Sequence, residues 1–354
     1  MRTIQHSTCS VIPRHMLQHI AVHGDDDARE TVSSTLHHSA LIARERAINY
    51  LKPSIRKKSG SQKRSVYDAQ NLRHLPGVFV MNETRGESKD VEANEAFAGA
   101  GAMANFLKNI FFRDSLDGKG MALVSTVHYG NRFDNAMWNG KQMIFGDGDG
   151  IVFTRFTGPI DIIGHEHAHG MTQHDAGLLY SGQSGALNEH ISDVMGIMLK
   201  QYLLSLKADE SNWLIGEGIF GPTIHGQALR SMKAPGTAYD DPIVGHDPQP
   251  SHMKDYVRSA EDSGGVHINS GILNHAFFLL STDLGGYSWT VAGRIWYEVV
   301  QHRLSPNSGF QDFANATVAV AGEIYGEGGR VQTAVRNAWA EVGLAVPPST
   351  AKAA

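Results

Sequence analysis

Apolar and polar positions along the chain change their period twice. Residues 1–60 carry apolar positions at Val11, Ile12, Met16, Leu17 and Ile20, a charged stretch from Asp25 to Glu30, then a helical pattern through Leu36, Ala40, Ala43, Ala47 and Tyr50 that Pro53 ends. The run from Lys52 to Arg64 is polar and basic, the composition of an exposed, cleavable connection. From Ser65 to Tyr129, short β-prone runs at Val78–Met81 and Ala122–Val127 bracket one helical segment over Val91–Ile110. Residues 131–158 read as strands and tight turns. After Gly158-Pro159 the period becomes helical, predicting helices over Ile160–His174, Ser184–Leu206, Ser270–Leu280, Ser288–Val300, Asn315–Ile324 and Arg330–Val342. The expected division is an appendage with its linker (1–60), a mixed strand and helix domain (61–180) and a helical domain (181–354).

Within the strand-rich part, GDGDG at Gly146–Gly150 lies between MIF and IVF. It reads as an acidic turn between two strands, with a calcium site or the edge of a substrate cleft as the functional alternative.

Composition narrows the class. The 354 residues hold 31 Lys and Arg against 36 Asp and Glu, a net charge of -5, and Cys9 is the only cysteine. An internal disulfide is therefore excluded, and a mildly acidic total gives no footprint for nucleic acid. No apolar run approaches the length of a membrane span, and the first residues lack the apolar core of a secretory signal. Cytoplasmic synthesis is the default expectation, with export by a route that needs no such signal left open.

The strongest chemical signal is His165-Glu166-His167-Ala168-His169. On a helix, His165 and His169 stand one turn apart on one face, so both imidazoles can meet one metal ion with the Glu166 carboxylate beside it. Ile160, Ile162, Ile163 and Ala168 supply an apolar side that makes unpaired imidazoles costly. His167 points away and reads as a packing residue.

A catalytic zinc takes three protein ligands and keeps one position open. Glu189, in the apolar run GALNEHISDVMGIM, can be the third, and Asp193 one turn on can fix a histidine tautomer. Their bland alternative is a pair of acids favoured at a helix start. His267, in GGVHINSGILNHAF, is by itself an ordinary histidine; oriented by Asp262 it could stabilise oxyanion charge.

Together NAMWNG from Asn135, GDGDG, DIIGHEHAHG, GLLY ending at Tyr180, GALNEHISD, LRSM with Arg230 and GGVHINSG resemble, in order and spacing, the thermolysin-like zinc neutral metalloproteases. The likeness runs from about Val66 to the C-terminus. It implies an α+β, two-domain peptidase, a strand-rich N-terminal and a helical C-terminal domain flanking a zinc cleft.

It further implies His165, His169 and Glu189 as zinc ligands, Glu166 as the acid/base group, and Tyr180 and His267 as oxyanion donors. Asp193 would support His165, and Asp262 would support His267. Asn135 and Ala136 would hold substrate as an added strand, and Arg230 would contact its carbonyl. The pocket for the residue after the scissile bond would be Phe153, Phe156, Ile162, Ile215, Ile219 and Leu229. That favours Leu, Ile or Phe there, with Phe156 narrowing the pocket, although core packing alone accounts for the same residues.

The likeness weakens at the family's double calcium site. Asp161 and Glu217 remain acidic, but Lys200, Asn212 and Leu214 stand at the other positions, and an ammonium group opposes bound cations. The expectation is no double calcium site, a pairing of Lys200 with Asp161, and at most a minor calcium site elsewhere.

Residues 1–60 resemble the short propeptide of the protealysin-like subgroup, with Ile12-Pro13 and Leu17 in a compact motif and the mature chain starting near Ser65. The implied partners are peptide or protein substrates and the chain's own propeptide as inhibitor, with no nucleic acid or membrane insertion and a monomeric state. Cys9 reads as incidental, with a zinc switch as the alternative. The competing functions are a catalytically silent peptide-binding protein of the same fold and a zinc hydrolase of small substrates.

Overall fold

The computed structural model describes residues 9–50 and 63–347. Of the expected linker Lys52–Arg64, residues 52–62 lie outside the described residues, and Arg64 already belongs to the first strand. In the appendage, residues 9–13 form no regular element and bend at Val11 and Ile12, α1 spans Arg14–His23 and α2 spans Asp26–Tyr50. The helix α2 runs through the charged stretch that had read as separate from it. Asp25 accepts the Ala28 N–H at 2.8 Å, so the acids form a capped first turn.

The strand-rich part is a five-stranded sheet in the order β2 (Val78–Asn82), β1 (Arg64–Asp68), β3 (Leu123–Val127), β5 (Met143–Phe145), β4 (Ala136–Trp138). The pairs β1–β3 and β3–β5 are parallel, and β1–β2 and β4–β5 antiparallel. This leaves β4 as an edge strand with one row of backbone groups unpaired within the sheet. Helix α3 (Val91–Phe111) is capped by Asp90, which accepts the Ala93 N–H at 3.1 Å.

GDGDG is an irregular loop that bends at Gly150 and not a tight turn between strands, and IVF is not a second strand beyond it. Asp149 Oδ1 accepts the N–H groups of Ile151, Val152 and Phe153, donors a ladder would have needed, and Phe153 makes only an isolated bridge to Phe220.

Helices α4 (Ile160–His174) and α5 (Gly182–Leu204) form the spine of the molecule. Every residue of α4 from Asp161 to Thr172 is buried. The two helices meet at Gly164 and Gly196: a β-carbon on Gly164 would lie 3.0 Å from Gly196 Cα, and one on Gly196 would lie 2.5 Å from the Asp161 carbonyl oxygen. Only glycine permits that approach.

Two short hairpins, β6 (Leu214–Ile215) with β7 (Arg230–Ser231) and β8 (Asp240–Asp241) with β9 (Gly245–His246), lead to α6 (Asp262–Leu284), α7 (Ala292–His302), α8 (Phe310–Tyr325) and α9 (Arg330–Glu341). Their shared core centres on Trp296, stacked on Trp339 at 5.6 Å and edge-on to Phe313. Among the described residues no helix is long and apolar enough to cross a membrane.

Candidate metal centre and substrate cleft

The two imidazoles of α4 converge as their spacing requires. His165 Nε2 and His169 Nε2 lie 3.1 Å apart. From α5, Glu189 brings Oε2 to 3.4 Å from His165 Nε2 and Oε1 to 3.4 Å from His169 Nε2. Each ring is oriented through its other nitrogen: His165 Nδ1–H donates to Asp193 at 2.8 Å, and His169 Nδ1 meets Asn188 Oδ1 at 2.9 Å and Ser192 Oγ at 3.0 Å.

Glu166 stands beside this group, with Oε2 accepting the Trp138 N–H at 2.9 Å. Glu166 Oε1 and Glu189 Oε2 are buried and have no hydrogen-bond partner, which is costly for carboxylates unless a cation is bound between them. Two imidazole nitrogens and one carboxylate are the donor set of a catalytic zinc, so the residues fit that ion. His167, buried, donates its Nδ1–H to the Ile163 carbonyl at 2.8 Å and is a packing residue.

Burial pushes the Glu166 carboxyl up to about 8. Burial also lowers His165, but Asp193 and Glu189 outweigh it and carry the group to about 9. Burial opposes the ionised form of Asp193 too, yet Arg230 and His165 hold it well below the usual carboxylate range. Arg230 grips Asp193 through two nitrogens at 2.9 and 2.8 Å, and Asn274 donates to the same carboxylate at 2.8 Å.

On the opposite wall, His267 is fixed by Asp262, which accepts its Nδ1–H at 2.7 Å and its backbone N–H at 2.8 Å. The right-handed part of this helix begins at Val266, four residues before the predicted start at Ser270. Ser263, Gly264 and Gly265 all have positive φ, and this kink folds Asp262 back over His267. Tyr180 Oη donates to Glu189 Oε1 and lies 3.2 Å from His267 Nε2.

The cleft holds the chain's own N-terminal segment. Val11 N–H donates to the Ala136 carbonyl at 3.2 Å, on the open edge of β4, and Ile12 N–H donates to Asn135 Oδ1 at 3.1 Å. Arg230 Nη1 donates to the Val11 carbonyl at 3.2 Å. Val11 is buried, and Phe153, Phe156, Ile162, Ile215, Ile219 and Leu229 are buried parts of the main apolar core. Cys9, expected to be incidental, is buried with Sγ 3.3 Å from His169 Nδ1.

Arg46 of α2, which nothing in the local sequence pattern singled out, stands 5.8 Å from the centre of the Tyr180 ring. Asn188, Ser192 and Asn274 were also missed. Asn188 and Ser192 flank Glu189 and Asp193 in GALNEHISD, so their place beside the proposed ligands was the available signal.

Lys200 pairs with Asp161 at 3.5 Å and Glu217 at 2.9 Å, and Asn212 donates to the same Glu217 oxygen at 2.8 Å. Burial raises Asp161 even with that ammonium group beside it.

This fold and this donor set define a zinc-dependent metallopeptidase. The thermolysin metallopeptidase family models match residues 47–173 for the catalytic domain and 176–344 for the alpha-helical domain, and the chain belongs to that family. It is a zinc metalloendopeptidase in a precursor form.

Among its relatives, the extracellular metalloprotease of Pectobacterium carotovorum subsp. carotovorum is 45% identical over 343 residues, covering 96% of this chain and 97% of that protein. Protease PrtS of Photorhabdus sp. (strain Az29) is 43% identical over 344 residues, covering 95% and 92%. The solved precursor of protealysin from Serratia proteamaculans superposes with a TM-score of 0.86 at 45% identity, covering 95% of this chain and 99% of that one.

Proposed function

We propose that the chain is a self-processing zymogen whose mature part cleaves peptides before a bulky apolar residue, with residues 1–60 as its intramolecular inhibitor. The observation that carries this reading is the convergence of His165, His169 and Glu189 beside the unpartnered oxygen of Glu166, with Val11 and Ile12 hydrogen-bonded to Ala136 and Asn135 along the same cleft.

His165, His169 and Glu189 would hold the zinc ion. Bound zinc supplies Lewis acidity to a carbonyl and lowers the pKa of water. Glu166 takes the proton of the attacking water and delivers it to the leaving amine. Tyr180 and His267 donate toward the oxyanion, with Asp262 holding the His267 tautomer. Asn135 and Ala136 bind the substrate backbone, Arg230 binds its carbonyl, and Asp193 positions both Arg230 and His165. The apolar pocket around Phe156, Ile162 and Leu229 selects Leu, Ile or Phe after the scissile bond.

Lys200 stands in for the cations of the family's double calcium site by neutralising Asp161 and Glu217. Casein digestion by the cleaved, zinc-loaded protein, abolished by chelator and restored by zinc, is the expected result. Persistent inactivity with zinc bound would favour a silent peptide-binding protein instead.

A further inference from the structure

The N-terminal segment lies in the cleft in a particular register. The Ser10 carbonyl accepts from His267 Nε2 at 2.9 Å, the donor that also lies 3.2 Å from Tyr180 Oη. The next N–H, that of Val11, reaches Ala136, the Val11 carbonyl reaches Arg230, and the following N–H, that of Ile12, reaches Asn135. The Val11 side chain is fully buried. The carbonyl facing the proposed oxyanion donor is thus followed at once by a residue whose N–H and carbonyl are both held by the cleft and whose side chain is fully buried. A strand running the other way, or shifted by one residue, could not satisfy both.

Building on the proposed peptidase site, we propose that the propeptide is itself a substrate: the Ser10–Val11 bond is hydrolysed by this cleft after the linker is cut, and this second cut clears the inhibitor. Water adds its oxygen to the Ser10 carbonyl carbon, Glu166 carries the proton to the Val11 nitrogen, and the C–N bond breaks. The products are a Ser10 carboxylate and a Val11 amine, and no other reactant is needed.

The delay before this cut comes from α2. Arg46 stands 5.8 Å from the centre of the Tyr180 ring, so this helix sets a cation beside a side chain that the cut needs as an oxyanion donor. Its helix is tied down by Asn49, which donates to the Asn139 carbonyl at 3.0 Å. Cutting the linker frees the C-terminal end of α2, so Arg46 can withdraw while residues 9–12 still lie in register.

The test is intact-mass analysis of the zinc-loaded full chain over time, beside Glu166→Gln, Val11→Ala and Val11→Leu. The expected result is linker cleavage first, then a peptide ending at Ser10 and a partner beginning at Val11, with casein digestion rising in step with the second cut. Val11→Ala slows the second cut by on the order of ten-fold. Val11→Leu, which stays bulky and apolar, keeps it and preserves the test if the alanine variant does not fold.

A propeptide that leaves intact, or whose first internal cut falls elsewhere in residues 9–50 while casein is digested, overturns the second cut and leaves the peptidase reading standing. No cleavage anywhere in zinc-loaded wild-type chain overturns both.

Discussion

Acidification should loosen the propeptide through His15. This residue of α1 contacts Tyr239 Oη at 3.3 Å, and its Nδ1 is buried without a partner. Burial lowers its pKa from 6.5 to about 4; Asp262 favours its charged form, while His267, Arg230 and His246 oppose it. The docked histidine is therefore neutral where a released one is protonated.

Because the docked pKa is the depressed one, its contribution is fully present above pH 6.5, declines as the pH falls, and is gone below about 4. At pH 5 the difference amounts to about 2 kcal/mol, or roughly 30-fold in the docking equilibrium.

Amide hydrogen exchange of α1 reads this directly in the Glu166→Gln full chain, which should not process itself. After correction for the intrinsic exchange rate, protection of Arg14–His23 should fall by about that 30-fold between pH 7.5 and 5. His15→Gln, which can still meet Tyr239 without titrating, should lose most of that dependence. An undiminished pH dependence in His15→Gln would refute the assignment.

Three other outcomes are expected. Glu166→Gln, matured in trans by a trace of wild type, should retain zinc by metal analysis yet lose about 10²–10⁴-fold in kcat, because the proton carrier is gone and the ligands are intact. Lys200→Met leaves the buried Asp161 carboxylate with only the N–H groups of Gly216 and Ile162. It should cost about 2 kcal/mol, less than the usual loss of a buried ion-pair partner, and lower Tm by about 4–8 °C in calorimetry. Chelation should lower Tm and abolish casein hydrolysis, and zinc should restore both.

The parts of the fold legible in the sequence were those in which local pattern and tertiary role coincide. His165 and His169 share a helix face, and the same period that buries Ile162 and Ile163 aims both rings at Glu189. The GALNEHISD run likewise carried ligand and support on one helix. The start of α6 was not legible, because Ser263-Gly264-Gly265 reads as a breaker while the chain uses its left-handed turn to swing Asp262 onto His267. IVF looked like a strand because its side chains suit one, but the Asp149 carboxylate had already taken its N–H groups. Arg46 left no trace, since its significance lies in reaching Tyr180, far along the chain from α2.

The contact between Gly164 and Gly196 has a consequence for how this metal centre can fail. The ligands come from two separate rods, and the gap between those rods is set by two hydrogen atoms in place of side chains. One methyl group at Gly196 would wedge α5 away from α4 and carry Glu189 off with it. Such a chain would keep every ligand in its sequence and still lose its grip on zinc.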